Sequence, residues 1–265
     1  MMKFIAILLI LFVTPQALAK LRIVSLHPAI TENIFALGVG DWIVGTSEFS
    51  DYPEEAKQIP RVGDSRPLVE KIISLKPDLV LNMERDTTGL AETLKRASIR
   101  FQTIRANTLS DFSVQIKLLG KILDKDKKAQ EVLTEWDKNW AKIKKENPSQ
   151  NKSLVIQVEQ QPLTIAGGDT FLSELISSCG YSNLFEEKKG YPQISQEVVL
   201  QKKPGHVLLL LASEMDASIA RQSRLWKKAE EQYRTQFYFS NPNILSRLTP
   251  RLPLETMKLC QTLKR

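Results

Sequence analysis

Asp126–Glu146, DKKAQEVLTEWDKNWAKIKKE, reads as one unbroken helix of roughly five to six turns. Its apolar residues, Ala129, Val132, Leu133, Trp136, Trp140 and Ile143, fall on a single stripe at helical period, and Lys and Glu fill the other faces. No Gly or Pro interrupts it, and Asn147-Pro148 ends it, because the residue before a proline is pushed out of the α region. It lies almost midway along the chain, flanked by two stretches of alternating strand and helix signals that resemble each other. A long helix with a narrow apolar stripe between two similar halves suggests a rigid spine. An ordinary surface helix of a single domain is the alternative.

The chain in front of the spine opens Arg22-Ile-Val-Ser-Leu26, a short apolar strand, then His27-Pro28 starts a helix that Gly38 stops. Strand signals follow at 43–46, 79–81 and 101–105, and helix signals at 68–75, 88–98 and 110–123, with a turn at Ser50-Asp-Tyr-Pro53. Behind the spine come strands at 154–158 and 206–211, a short extended run at 163–166 and a strand at 237–239. Helices are expected at 170–178, where Asp169 can cap, and at 195–202, 223–233 and 253–264. Strands alternating with helices argue for α/β architecture: two Rossmann-like lobes with parallel sheets joined by one long interdomain helix. The boundaries read as 20–125 for the N-terminal lobe, 126–147 for the helix and 148–265 for the C-terminal lobe.

An internal repeat supports two equivalent lobes. Glu70-KIISLK-Pro77-Asp-Leu-Val-Leu81 and Glu197-VVLQKK-Pro204-Gly-His-Val-Leu208 share a Glu, a hydrophobic helical turn, a proline seven positions on, and a strand. Each Glu stands near a helix start, where the helix dipole favours negative charge. Capping explains each Glu singly but not the shared offset, which favours a common role.

Composition bounds the function. Of 265 residues 42% are apolar and 25% charged, ordinary for a globular protein. Lys and Arg number 37 against 30 acidic residues, a formal +7, dispersed without basic runs or interleaved aromatics, so a nucleic-acid surface is not expected. Residues 1–19 read as a cleavable export signal: Lys3, an apolar run from Phe4 to Val13, and Ala17-Leu18-Ala19. The expected mature chain begins at Lys20 in the periplasm, with no cysteine after the cleavage site for lipid attachment. The two cysteines, Cys179 and Cys260, would pair in an oxidising compartment, or remain two separate buried thiols.

Catalytic chemistry is sparse. The histidines are His27, at a strand-to-helix turn where α/β sites form, and His206, opening an apolar strand and read as a core or rim residue. There is no GxSxG elbow, and Ala166-Gly-Gly-Asp-Thr170 lacks dinucleotide or P-loop spacing, so a tight turn accounts for it. No His and carboxylate set for a transition metal is visible. The chain reads as a binder, with no catalytic residues, cofactor or metal expected.

The residues that carry a resemblance are RIVSLHPAITENIFALG at 22–38, SDYP at 50–53, LKPDLVL at 75–81, PLTIAGGDTF at 162–171 and Thr249-Pro250-Arg251. On these the chain resembles the cobalamin and iron-siderophore family of periplasmic binding proteins, from Arg22 to Leu263. The resemblance implies a monomer with two lobes and little hinge closure, holding ligand in the cleft and delivering it to the permease dimer of an ATP-driven (ABC) importer. It implies a Cys179–Cys260 disulfide tying the last helix to the C-terminal lobe, and acidic residues Glu70 and Glu197 docking on the two permease subunits. For the ligand it implies a corrinoid, cobalamin, carried as cargo.

The pocket pattern is partly kept. Tyr52 matches its family position. Ser65 or Arg66, then Met83 and Tyr191, stand where the cobalamin pattern has tryptophans. Leu163 stands where an aromatic is expected, Asn243 replaces an acidic residue, and Arg247 is kept. Losing rings removes flat stacking area, so haem or a ferric siderophore is the alternative cargo, and Arg66 and Arg247 would suit an anionic one. An exported enzyme or a non-transport interaction module on the same fold is the reading of another class.

Overall fold

The computed structural model describes residues 20–64, 66–83, 89–211 and 213–264; the export signal read at 1–19 lies outside them. The N-terminal lobe runs β1 (Ile23–Ser25), α1 (Pro28–Ala36), β2 (Ile43–Thr46), α2 (Val69–Ser74), β3 (Leu79–Asn82), α3 (Leu90–Arg96), β4 (Arg100–Thr103) and α4 (Asp111–Ile122). Its sheet is wholly parallel in the order β2-β1-β3-β4. Helix α5 (Asp126–Glu146) is the spine, with the bounds its sequence sets.

The C-terminal lobe runs β5 (Lys152–Glu159), β6 (Thr164–Ile165), α6 (Phe171–Ser178), β7 (Tyr181–Asn183), α7 (Gln196–Gln201), β8 (His206–Leu210), α8 (Glu214–Arg221), α9 (Arg224–Tyr233), β9 (Gln236–Ser240), α10 (Pro242–Leu245) and α11 (Leu252–Leu263). Strands β7, β8 and β9 extend it in parallel from β5. The short β6 is antiparallel, a departure from the all-parallel expectation. It follows from the tight connection out of β5, too short for the crossover that a parallel strand needs. Strand β7 and helices α8 and α10 are absent from the sequence reading, being only three, eight and four residues long.

The inner strands β1, β3, β5 and β8 are buried on both faces, and alternation along each divides its residues between two cores. Ile23, Leu79 and Leu81 join Leu154, Ile156, Leu208 and Leu210 in one central cluster that also contains the spine stripe. Val24 and Val80 face an outer cluster of the N-terminal lobe, and Val155, Val207 and Leu209 face one of the C-terminal lobe. The central cluster therefore belongs to both lobes and to α5. Phe112 of α4 stacks on Trp136 of the spine with ring centroids 3.8 Å apart. Gly120 lets the two helices meet there, since a Cβ on it would come within 2.7 Å of the Ala129 methyl.

The repeat has a structural counterpart. Glu70 and Glu197 are each the second residue of a six-residue helix, and Ile72 and Val199, two positions on, are fully buried. Lys76 and Lys203 then adopt left-handed backbone, with φ of 46° and 51°, before the proline and the strand. Capping differs between the two. Ser195 caps α7, and Glu197 is held below the usual carboxylate range by backbone and Ser195 hydrogen bonds, whereas α2 has no side-chain cap.

Helix α11 returns to pack along α5. Cys260 on it is bonded to Cys179 at the end of α6, with Cα atoms 4.9 Å apart, and the Tyr181 hydroxyl donates to Leu263 O at 2.7 Å. Denatured, unreduced protein should therefore label with no free thiols. Replacing both cysteines by serine should cost about 2–5 kcal/mol in denaturant unfolding, since the bond closes a long loop. Two reactive thiols per chain would contradict the pairing.

Candidate functional site

In open α/β sheets, ligands bind beyond the carboxyl ends of the strands, where loops rather than helices line the opening. Nearly every residue expected to bind ligand lies there. Tyr52 and Arg66 follow β2, Met83 follows β3, Leu163 lies in the turn after β5, and Asn243 and Arg247 follow β9. Tyr191 sits beside β6, next to the Thr164–Gln193 bridge. His206, by contrast, opens β8 at the amino end, with Nδ1 3.2 Å from the Tyr238 hydroxyl.

The loop after β2 is fixed from beneath by buried hydroxyls. Thr31 Oγ1 of α1 lies 2.9 Å from Thr46 Oγ1 and 3.1 Å from Ser50 Oγ, and donates to Ser25 Oγ at 2.9 Å. Arg61 Nη1 donates to the carbonyls of Ser47 and Ser50, both at 2.8 Å. Phe49 and Tyr52 are thereby presented outward, 57% and 47% exposed. Exposed rings on a pinned loop are suited to covering a flat apolar ligand at small ordering cost.

Across from this loop lies an ionic cluster that joins the lobes. Glu32 of α1 has only 2% of its side chain exposed. Its carboxylate receives Arg247 Nη1 at 3.0 Å, Arg251 Nε at 2.7 Å and Arg251 Nη2 at 2.9 Å. Arg247 Nη1 also donates to Asp51, and its Nη2 donates to Phe49 O at 2.9 Å. Arg251 donates to Asn243 O at 3.1 Å and lays its guanidinium 4.3 Å from the centre of the Tyr52 ring. Arg247 is thus almost wholly buried with its charge met inside the protein, and does not stand free in the cleft as a cation for an anionic cargo.

Glu32 and Arg251 were not singled out as site residues from the sequence. The signal for Glu32 was available: a carboxylate in the otherwise apolar run PAITENIFA must find a cation if it is buried. Arg251 stands in the Thr249-Pro250-Arg251 motif, but nothing local to it names its partners.

The other expected residues are placed as follows. Met83 is partly buried against the central core and Leu163 against the outer core of the C-terminal lobe. Arg66 is exposed, its backbone N–H donating to Asp64 at 2.9 Å. Ser65 lies outside the described residues. Tyr191 is 49% exposed, and its hydroxyl is pushed up to about 12 by loss of water and by the Asp169 carboxylate. Contrary to the sequence expectation, Asp169 does not cap α6; Thr170 does, while Asp169 accepts the Gly190 N–H at 2.6 Å. A Cβ on Gly168 would meet Glu186 O at 2.0 Å, so Gly167-Gly168 is a close backbone approach that seats the Tyr191 loop. Among the described residues, no three His, Cys, Asp or Glu converge as a metal site.

His27 caps α1, its Nδ1 accepting the Ala29 N–H at 3.2 Å. Burial, and secondly the Arg247 charge, lower its pKa from 6.5 to about 4. The unfolded chain therefore takes up this proton first as pH falls, and folded stability is lost between about pH 6.5 and about pH 4. Moving from pH 7 to pH 5 should cost on the order of 1–2 kcal/mol through this residue. His27→Asn, which keeps a capping acceptor but does not titrate, should flatten that part of the pH profile in denaturant unfolding. Identical profiles would assign the acid sensitivity elsewhere.

The periplasmic binding protein family profile matches residues 23–230. A vitamin B12-binding protein of Yersinia pestis (strain Pestoides F) is 30% identical over 264 residues, covering 97% of this chain and 91% of that protein. The crystal structure of the periplasmic vitamin B12 binding protein BtuF of Vibrio cholerae has a TM-score of 0.75 at 28% identity, covering 92% of this chain and 96% of that one. The periplasmic heme binding protein HutB of the same organism shares the fold with a TM-score of 0.77 at 20% identity, covering 93% and 100%. With the profile running from β1 into α9 and two sheets joined by one spine helix, the chain belongs to the periplasmic binding protein family.

Proposed function

We propose that this protein captures a corrinoid, cobalamin, between its lobes and hands it to the permease dimer of an ABC importer, without catalysing a reaction on it. The observation that carries this reading is the pairing of Tyr52, an exposed ring on the β2 loop, with Arg251 and Asn243 of the opposite lobe. Rings and polar groups from both lobes then bound one opening at the carboxyl ends of the two sheets. The 30% identity to a vitamin B12-binding protein over nearly the whole chain favours the corrinoid. The neutralisation of Arg247 and Arg251 by Glu32 and Asp51 weighs in the same direction, against a polyanionic ferric chelate. Haem is the second reading, which the fold shared with HutB permits and the half-exposed Tyr191 ring favours.

Titration with cyanocobalamin, haemin and a ferric hydroxamate separates these cargoes. Cyanocobalamin should bind tightest, and Tyr52→Ala should weaken it by about 1–3 kcal/mol. Haemin binding ten times tighter than cyanocobalamin would reverse the assignment. An unchanged dissociation constant in Tyr52→Ala would move the site elsewhere.

Export precedes capture in this reading, with removal of residues 1–19 leaving Lys20 as the mature N-terminus in the periplasm. Delivery uses Glu70 and Glu197, exposed at equivalent helix positions, as docking contacts on a two-fold permease. Rim charges of this kind mainly set orientation and association rate. Replacing both by Ala should leave ligand affinity intact while slowing uptake, more at low salt. Normal uptake at low salt, or lost ligand affinity, would reduce both residues to helix capping.

A further inference from the structure

We propose that Arg251 is the positioning residue of the binding site: held by Glu32, it fixes Tyr52 of one lobe and the Asn243 backbone of the other at a set spacing and leaves a single face of the Tyr52 ring for ligand. This rests on the reading that Tyr52 borders the site. Both Glu32 oxygens engage the guanidinium, through Nε at 2.7 Å and Nη2 at 2.9 Å. A two-point contact of this type fixes the plane as well as the position of the group. Nη2 carries a second bond to Asn243 O at 3.1 Å. The flat face that remains lies 4.3 Å from the Tyr52 ring centre, within the range of a cation–π contact.

The two anchors of this arrangement are themselves held by packing and hydrogen bonds. Glu32 lies in a stretch of α1, Ala29 to Ile34, that is buried throughout. The loop carrying Tyr52 is tied down by the Thr31, Ser47 and Ser50 hydroxyls and by Arg61. One face of the ring lies against Arg251, and the residue as a whole remains 47% exposed, which leaves the other face to ligand in this proposal. The ring is then oriented before ligand arrives. Arg247 serves as the internal contrast. It joins the same lobes through Glu32, Asp51 and Phe49 O and, among the described residues, makes no cation–π contact of the kind Arg251 makes, so clamping the lobes does not by itself require Arg251.

The test is a double-mutant cycle read in ligand affinity. Wild type, Tyr52→Ala, Arg251→Lys and the double variant are titrated with cyanocobalamin and, in parallel, haemin, and the thermal unfolding of each is measured. Lysine keeps the charge and loses the fork and the plane. Arg251→Lys should weaken binding about three- to tenfold with Tyr52 present and less than about twofold with Ala at 52. The fall in Tm that it causes should persist in both backgrounds. Equal weakening in both backgrounds, or none where Tyr52→Ala does weaken binding, overturns the positioning role and leaves the site reading intact. No effect of Tyr52→Ala, or binding of neither probe, overturns both. Glu32→Asp keeps every charge and withdraws the carboxylate by one methylene; it should reproduce the coupling to Tyr52 and serves as the second variant if Arg251→Lys folds poorly.

Discussion

A carboxylate with 2% of its side chain exposed can stay charged only if cations and hydrogen-bond donors replace the water it has lost. Glu32 obtains both from Arg247 and Arg251, which arrive from the far end of the chain. The relation binds both sides: three buried or half-buried charges of one cluster make sense only with the lobes in this arrangement. A variant that removed Glu32 alone would leave Arg251 without its anion and Arg247 with Asp51 alone. The cluster therefore specifies one relative placement of the lobes, rather than merely adding to stability.

Apolar packing makes the same demand from the other side. The central core draws residues from both sheets, from α4, from the spine and from α11, so opening the lobes far apart would expose a shared interior. Hydrogen bonds reinforce this: Phe171 N donates to Asn107 O at 2.8 Å, and Leu109 N to the Glu174 carboxylate at 3.3 Å, joining the segment after β4 to the start and middle of α6. A core shared in this way holds the loops at the strand ends in one arrangement, so a surface built from them is preformed, which lowers the ordering cost of binding.

The fold by itself does not choose the cargo. A vitamin B12 binding protein and a heme binding protein match this chain with TM-scores of 0.75 and 0.77. Selectivity must lie in the loops at the carboxyl ends of the strands, where rings and charges vary without disturbing the sheets. There, an arginine counted from sequence as free positive charge changes meaning once its partners are known. Arg247, met by Glu32 and Asp51, contributes rigidity and little net field.

How much was legible in the sequence depended on the range of the forces involved. The spine from Asp126 to Glu146, the strand–helix alternation and the repeat around Glu70 and Glu197 follow from local periodicity and from proline and glycine punctuation, so the chain alone determines them. The same holds for the carboxyl-end placement of Tyr52 and Met83, which is a matter of chain order. Tertiary structure alone decided what those residues face. The antiparallel turn of β6, the transfer of Asp169 from helix cap to the Gly190 loop, and the burial of Met83 and Leu163 against core all depend on neighbours far away in sequence. The Glu32–Arg247–Arg251 cluster is the clearest case, with partners more than two hundred positions apart. Charge pairing carries no sequence period, and only the folded chain brings the carboxylate and its two arginines within hydrogen-bonding distance.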